Sequence, residues 1–147
     1  GLIINKPISQ MKVVGAGFKN KFFKDLIAES EKIYFGGPVM LHEACVLSET
    51  DNSNILFNIS EKIKLSNDLD LIQKILFDDE NPKNTKLIFG HAAWDVNQLQ
   101  DEIKRGDWLV HDSTEEIFTT NPKLIWGSLI RFFGLDQFNI TGIGGIS

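Results

Sequence analysis

The sequence predicts an α+β domain that contains a mixed β-sheet. Strand-like and helix-like segments alternate along the 147 residues, but without the spacing of about 30 residues that a repeated βαβ unit requires. At least two pairs of neighbouring strands are separated by short polar segments, which favours hairpins and antiparallel pairing. The composition, 42% hydrophobic and 24% charged, is that of an ordinary globular protein, so we expect one domain over residues 1–147.

Short apolar runs bounded by turn-forming residues predict seven strands. Proline has no N–H to donate to a sheet, so Pro7 ends the first strand, and Gly36-Gly37-Pro38 marks a sharp turn after the second. The polar segment 49–54 lies between two apolar runs and predicts a hairpin. In chain order the predicted strands are 2–5, 33–35, 39–41 or 39–47, 55–59, 63–65, 86–90 and 108–111.

Apolar residues spaced three and four apart predict four helices and one helical turn. Asn67 is the expected N-cap of the second helix, and Asp95 and Gln98 have capping-box spacing before the third. Leu99 and Ile103 are expected to line the inner face of that third helix. The predicted segments are 18–31, 68–77, 96–105, 114–118 and 122–133.

The charge distribution argues against direct binding to duplex DNA. The chain has 15 Lys and Arg against 20 Asp and Glu, and the first 35 residues are net +3 while the remainder is net −8. Only two arginines, Arg105 and Arg131, are present to contact guanine edges. The basic segment 19–24, which also carries two phenylalanines, is interpreted as the solvated face of a helix. We expect any association with DNA to be weak and salt-sensitive.

The sequence carries no recognisable catalytic, metal or cofactor motif. Gly15-Ala16-Gly17 lacks the third glycine of a nucleotide-binding loop, and the three histidines are 49 and 20 residues apart, which matches no metal-ligand spacing. Cys45 is interpreted as a small core residue. A single cysteine cannot form an internal disulfide, which favours the cytoplasm. We therefore expect no catalytic residue, no metal, no cofactor and no membrane-spanning segment.

Three motifs occur in order along the first 110 residues. The first is Gly-Leu-Ile-Ile-Asn-Lys-Pro at 1–7, and the second is Tyr-Phe-Gly-Gly-Pro-Val at 34–39. The matching positions of the third are Gly90, His91, Ala92, Trp94, Gln98, Leu99, Glu102, Ile103, Trp108 and Leu109. On these motifs the chain resembles the YqgE/AlgH family of bacterial proteins. It departs from the family pattern at Ala93, Gln100, 95–97 and Ile125-Trp126.

The resemblance implies a single α+β domain whose mixed sheet is strongly bent, barrel-like and flanked by helices. Members are commonly labelled transcriptional regulators, so it also implies a regulatory, transcription-related role in the cytoplasm, exerted through a protein partner or self-association. It supplies no catalytic residue, cofactor or substrate. The strand that opens the family pattern is absent here, so we expect a missing N-terminal strand and an unpaired sheet edge near residues 1–5 that recruits another chain.

The motif residues form the candidate binding site. They are Asn5, Lys6, Pro7, Gly36, Gly37, Pro38, His91, Trp94, Gln98 and Glu102. One interpretation is structural: the glycines form a turn, the tryptophans pack, and Gln98 and Glu102 cap the helix or pair on its surface. The alternative is a small-ligand or hydrolytic site near His91 and Trp94, because polar and glycine residues at strand ends often form binding sites.

Overall fold

The computed structural model of the chain contains two compact units, Gly1–Ala92 and Ala93–Ser147. The residues that the structure describes are 1–10, 32–49, 53–77, 82–112 and 116–135. Three predicted features lie outside them: the helix at 18–31, the basic segment 19–24 and the glycine-rich tail after residue 138.

A five-stranded mixed sheet forms the framework of the first unit. The strands are β1 (Ile33–Phe35), β2 (Val39–Ser48), β3 (Ile55–Asn58), β4 (Lys64–Ser66) and β5 (Thr85–His91). Their order is β1-β5-β2-β4-β3, with β1 parallel to β5 and the other neighbours antiparallel. The α+β class is thereby confirmed. The order is linear and β1 does not pair with β3 among the described residues, so barrel-like closure is not confirmed.

The hydrophobic core of this unit includes the sheet face that carries Leu87. Strand β5 lies between β1 and β2, and its Leu87 and Ile88 are fully buried, which accounts for its unbroken apolar run. Helix α1 (Leu69–Phe77) contributes Ile75 to the core and packs further apolar residues against it. The buried cluster consists of Ile8, Ile33, Val46, Ile75, Leu87 and Phe89.

Asp68 caps the N-terminus of α1, so the prediction of Asn67 is wrong by one residue. One carboxylate oxygen of Asp68, Oδ1, accepts hydrogen bonds from the backbone N–H groups of Asp70 (3.0 Å) and Leu71 (3.1 Å). The other, Oδ2, accepts from the N–H and the hydroxyl of Ser53 (2.8 and 2.6 Å). The same carboxylate thus joins the helix to the segment before β3, a tertiary contact that sequence spacing does not reveal.

The predicted hairpin around residues 49–54 is also wrong. Strand β4 lies between β2 and β3 and pairs with both of them. This arrangement places Leu47 opposite Leu65, and both side chains are buried. Cross-strand apolar pairing of this kind stabilises a sheet, whereas a long polar loop does not force its two flanking strands together.

The predicted first strand, residues 2–5, is replaced by an irregular segment beside β1. The Ile3 N–H donates to the Gly36 carbonyl and the Phe35 N–H donates to the Lys6 carbonyl, both at 2.9 Å. Pro7 forms one isolated antiparallel bridge with Tyr34. These contacts attach the segment to the sheet, but they are too scattered to form a continuous ladder.

The described part of the second unit contains three helices, α2 (Gln98–Arg105), α3 (Glu116–Thr119) and α4 (Pro122–Phe132). Helix α4 begins as predicted, because the Asn121 side chain accepts a hydrogen bond from the Lys123 N–H (3.0 Å) and Pro122 takes the first turn. Residues 108–111 form no strand, contrary to the prediction. None of the helices described is both long and apolar enough to cross a membrane.

Candidate functional site

The predicted site residues divide between two clusters, one in each unit. Seven of them lie in the first unit. In that unit the backbone approaches itself closely at three glycines, which we call the glycine junction (Gly36, Gly37 and Gly90). The other three lie in the second unit with a fourth residue, and we call them the indole–carboxylate cluster: Trp94, Gln98, Glu102 and Trp108.

The glycine junction is a close crossing of two backbone segments. The Gly36 N–H donates to the Phe89 carbonyl (2.8 Å). A Cβ atom on Gly36 would collide with the Gly90 carbonyl oxygen, and one on Gly37 would collide with the backbone of His91. Side chains are therefore excluded by contact at this crossing, which agrees with the structural interpretation of the Gly-Gly-Pro motif.

The remaining predicted residues of the first unit lie in the segments on either side of this crossing in the sequence. Lys6 contributes its backbone carbonyl to β1, and Pro7 is buried against the bridge to Tyr34. Asn5 is half-buried and Pro38 is exposed. Main-chain hydrogen bonds therefore connect the segment 1–7 to β1 and to the Gly36-Gly37-Pro38 turn.

His91 lies at the end of β5, in register with Val39 of β2. In the part of the chain that the structure describes, its side chain makes no hydrogen bond or ion pair that would orient it as a general base. Nor do the described residues include a group of three or more His, Cys, Asp or Glu side chains that could hold a metal. Among the described residues, the hydrolytic alternative at His91 therefore has no supporting side-chain contact.

Cys45 has the properties of a core thiol. Its Sγ lies 3.7 Å from the Ile88 carbonyl oxygen, to which the thiol donates. Burial raises the pKa of Cys45 to about 11. A nucleophilic cysteine requires a lowered pKa, so the shift agrees with the interpretation of Cys45 as a structural residue.

The buried amine of Lys86 is a feature that sequence reasoning missed. Lys86 is 4% exposed, its Nζ donates to the Ile4 carbonyl (2.9 Å), and the same atom lies 4.3 Å above the centre of the Tyr34 ring. Burial lowers the pKa of Lys86 to about 8. The available signal was a lysine at the head of the apolar run 86–90, a position that a central strand buries.

The indole–carboxylate cluster is centred on Glu102 of α2. Its Oε2 accepts hydrogen bonds from the indole N–H groups of Trp108 (2.8 Å) and Trp94 (3.1 Å). Its Oε1 accepts from the Gln98 amide (2.8 Å). The two indole rings meet edge to face, with centroids 5.7 Å apart and planes at 69°. The third motif therefore places its polar and aromatic residues in direct contact.

Glu102 stays ionised at neutral pH. The hydrogen bond from Trp108, followed by that from Gln98, holds the pKa of Glu102 below its usual range, and the more distant charge of Arg105 adds a smaller effect. Each of the three groups that donate to the carboxylate is neutral. The cluster consequently keeps a full negative charge beside two aromatic rings.

Helix α2 starts two residues later than predicted. Asn97 precedes it in a left-handed conformation, with φ of +68°, and makes no side-chain cap. The predicted capping-box pair still interacts, because the Gln98 side chain accepts a hydrogen bond from the Asp95 N–H (3.1 Å). Gln98 therefore links the turn before the helix to Glu102.

Exposed apolar residues lie on α2 and on the segments before and after it. Leu99 and Ile103, one turn apart on the same face, are 37% and 41% exposed, so the prediction that they line an inner face is wrong. We call the whole set the α2 surface: Val96, Leu99, Ile103, Trp108, Leu109 and Val110. Residues 93–112 carry five acidic and two basic side chains, net −3, around it.

Comparisons with known proteins agree with the three motifs. The family model named DUF179, described as AlgH-like, matches residues 1–137. A UPF0301 protein of Rickettsia massiliae is 31% identical over 143 residues, which is 96% of this chain and 75% of the relative. One from Rickettsia akari is 33% identical over 139 residues, 93% of this chain and 72% of the relative.

Two solved structures share the fold. The AlgH protein from Pseudomonas aeruginosa, determined in solution, matches with a TM-score of 0.56 and 22% identity over 78% of this chain. Protein DIP2367 from Corynebacterium diphtheriae, a crystal structure, matches with a TM-score of 0.51 and 23% identity over 69% of this chain. The matched regions are 61% and 56% of those two chains, less than two thirds of either.

The mixed sheet and the three ordered motifs define an α+β protein of the class found in bacterial UPF0301 proteins. The chain belongs to the AlgH-like family.

Proposed function

We propose that this protein is a non-enzymatic regulatory protein of the cytoplasm, and that it acts by binding a protein partner through the α2 surface. The observation that carries the proposal is the exposure of six apolar residues within 96–110, each between 37% and 90% exposed. Single exposed apolar residues are common on soluble proteins, but a group of them close in sequence is typical of an interaction surface.

The charge balance supports a protein rather than a nucleic acid as the partner. The α2 surface lies in a segment of net charge −3, and the whole chain is net −5. DNA phosphates would be repelled by such a surface. A transcription-related role, which the family resemblance suggests, would therefore be exerted on a regulatory or transcription protein and not on the duplex itself.

The alternative of a small-ligand or hydrolytic site near His91 is supported by no contact among the described residues. His91 lacks a side-chain partner there, and Trp94 is engaged by Glu102. The α2 surface thus supports the interaction hypothesis more directly than any described group supports catalysis.

Site-specific photo-crosslinking tests the proposal. A photoreactive phenylalanine analogue is placed at Ile103 or, as the matched control on the same helix, at the exposed Lys104, which points away from the Leu99–Ile103 stripe. We expect one discrete partner to be crosslinked from position 103 and not from position 104. That partner is then identified, purified and titrated against the chain.

The titration uses matched charge variants. We expect Ile103→Asp to weaken binding of the identified partner by about tenfold or more, because it places a charge in an apolar contact. Lys104→Gln, which changes the net charge by the same amount, should leave the affinity within about twofold. Equal labelling from both positions, or equal affinity of both variants, would contradict the proposal. Crosslinks between two copies of the chain would show that the partner is a second copy of this protein.

A further inference from the structure

The two tryptophans of the indole–carboxylate cluster are arranged as two walls of a corner. Their planes are inclined at 69° and their centroids are 5.7 Å apart. A cation is attracted to an aromatic face within about 6 Å of the ring centroid. One cationic group can therefore lie within reach of both rings, and Trp108 is 45% exposed to solvent.

The carboxylate strengthens this arrangement in two ways. Both indole N–H groups donate to Glu102 Oε2, and donation to an anion raises the electron density of each ring, which increases its attraction for a cation. Glu102 also supplies a negative charge whose hydrogen-bond donors are all neutral. The neighbouring acids differ, because Asp101 is paired with Lys104 (3.6 Å) and Asp107 with Arg105 (2.7 Å).

We infer that the indole–carboxylate cluster is a binding site for an alkylammonium or guanidinium group, supplied by a lysine or arginine side chain of the protein partner. The inference rests on the proposed function and specifies the chemistry of the partner. Gln98 and Glu102 lie on the helix stripe next to Leu99 and Ile103. The matching segment of the partner therefore carries a basic residue beside apolar residues.

A purely structural role makes a different prediction. If Glu102 serves only to hold the two tryptophans against α2, added cations should cause no saturable change in the indole N–H signals of Trp94 and Trp108. A cation site instead gives saturable changes that depend on ligand charge at constant ionic strength. Trp126 on α4 is 54% exposed and lies outside the cluster, so it serves as an internal control.

The test is an NMR titration of the three indole N–H signals in the ¹⁵N-labelled chain. The probes are N-acetyl-arginine amide, N-acetyl-lysine amide and tetramethylammonium chloride, each at constant ionic strength. N-acetyl-citrulline amide is the neutral isostere of the first. We expect saturable shifts of the Trp94 and Trp108 signals with the arginine or lysine probe, and no saturable shift with citrulline or of Trp126.

Three variants distinguish the contribution of the Glu102 charge, the contribution of the Trp108 ring and any general effect on folding. Glu102→Gln keeps an oxygen that can accept hydrogen bonds from the indole N–H groups but removes the charge. We expect this variant to weaken binding of the arginine probe by about fivefold or more. Trp108→Leu should abolish saturation, while Trp126→Leu, its matched control, should not change the affinity. Retained circular dichroism shows that each variant is folded.

Other outcomes are equally informative. Absence of saturation with all cationic probes, or equal shifts with arginine and citrulline, would overturn the inference even if position 103 still crosslinks a partner. Saturation by tetramethylammonium alone would assign the site to a free quaternary ammonium ligand and overturn the assignment to a partner side chain. Conversely, arginine binding without a partner at position 103 would refute the proposed function and leave the cation site standing.

Discussion

At the scale of single residues, Gly90 combines a left-handed backbone with a crowded environment. Its φ is +71°, and a Cβ atom there would collide with the Gly37 carbonyl oxygen and lie 3.0 Å from the Val39 carbonyl oxygen. Gly106, at the end of α2, has a similar φ of +82° but no atom within 4 Å of a Cβ. A substitution at Gly106 therefore measures the cost of left-handed backbone strain alone, whereas one at Gly90 measures strain and steric collision together.

We expect Gly90→Ala to lower the free energy of unfolding by about 3 kcal/mol or more, since left-handed strain is joined by a collision with backbone atoms that cannot rotate away. Gly106→Ala should cost only about 1 kcal/mol, the strain alone. Urea denaturation followed by circular dichroism measures both. Equal losses for the two variants would show that the crossing at Gly90 relaxes freely.

The sequence predicted some of these residue roles and not others. The turn at Gly36-Gly37-Pro38 was predictable because adjacent glycines before a proline have few other uses. The crossing partner Gly90 was not, because the contact joins positions more than 50 residues apart. Glu102 was expected to pair on the helix surface, but the convergence of both indoles on one oxygen depends on where the chain returns after α2.

At the scale of elements, the start of α1 depends on one carboxylate. Asp68 accepts four hydrogen bonds, two from the helix and two from Ser53. The Ser53 hydroxyl is the largest cause that lowers the pKa of Asp68, followed by the Leu71 N–H. Neighbouring Asn67 is exposed.

Asp68→Ala should therefore lower the melting temperature by several times the effect of Asn67→Ala, the matched control. The pH dependence follows from the sign of the shift: a lowered pKa stabilises the fold above the ordinary value of 3.8, and this contribution is lost as the pH falls through the pKa of the folded state. Acid denaturation of the wild type and of Asp68→Asn measures it. Parallel curves for the two proteins would contradict the assignment.

Element types were more predictable than their partners and boundaries. Ile33–Phe35 is a strand as expected, and α4 starts at Pro122 because its cap is encoded in adjacent residues. The pairing of β4 between β2 and β3 could not be derived, because the local sequence pattern of a strand does not determine which neighbouring strand it pairs with. The prediction that α2 has a buried inner face was wrong for another reason. Amphipathic spacing does not reveal whether another part of the protein covers the apolar face.

At the scale of the whole molecule, the buried amine of Lys86 couples stability to pH. Lys86 has a pKa of about 8 in the folded chain against an ordinary value of 10.5. Between these values the unfolded chain binds more protons at this residue, so its contribution to the free energy of unfolding rises with pH from about 8 to about 10.5. Below about pH 8 both states are protonated and the contribution is flat.

We expect the stability difference between wild type and Lys86→Met to shift in favour of the wild type across that pH window. Other titrating groups cancel in the difference. The measurement is urea denaturation at pH 7, 8, 9 and 10, with Lys123→Met as the control at an exposed position. A difference that stays constant with pH would show that the amine is solvated in the folded chain.

The strand order has a consequence for the protein during its synthesis. Strand β5, which lies between β1 and β2, is the last of the five strands to be translated. While a nascent chain ends before residue 85, β1 has no sheet partner among the other four strands, and only β2, β4 and β3 can associate. At ribosomal speeds of about 5–20 residues per second, the 49 residues between β1 and β5 take about 3–10 s to translate. We therefore expect β1, and the side of β2 that pairs with β5 in the folded protein, to lack that strand partner throughout the interval, which favours recognition by chaperones that hold unfolded segments.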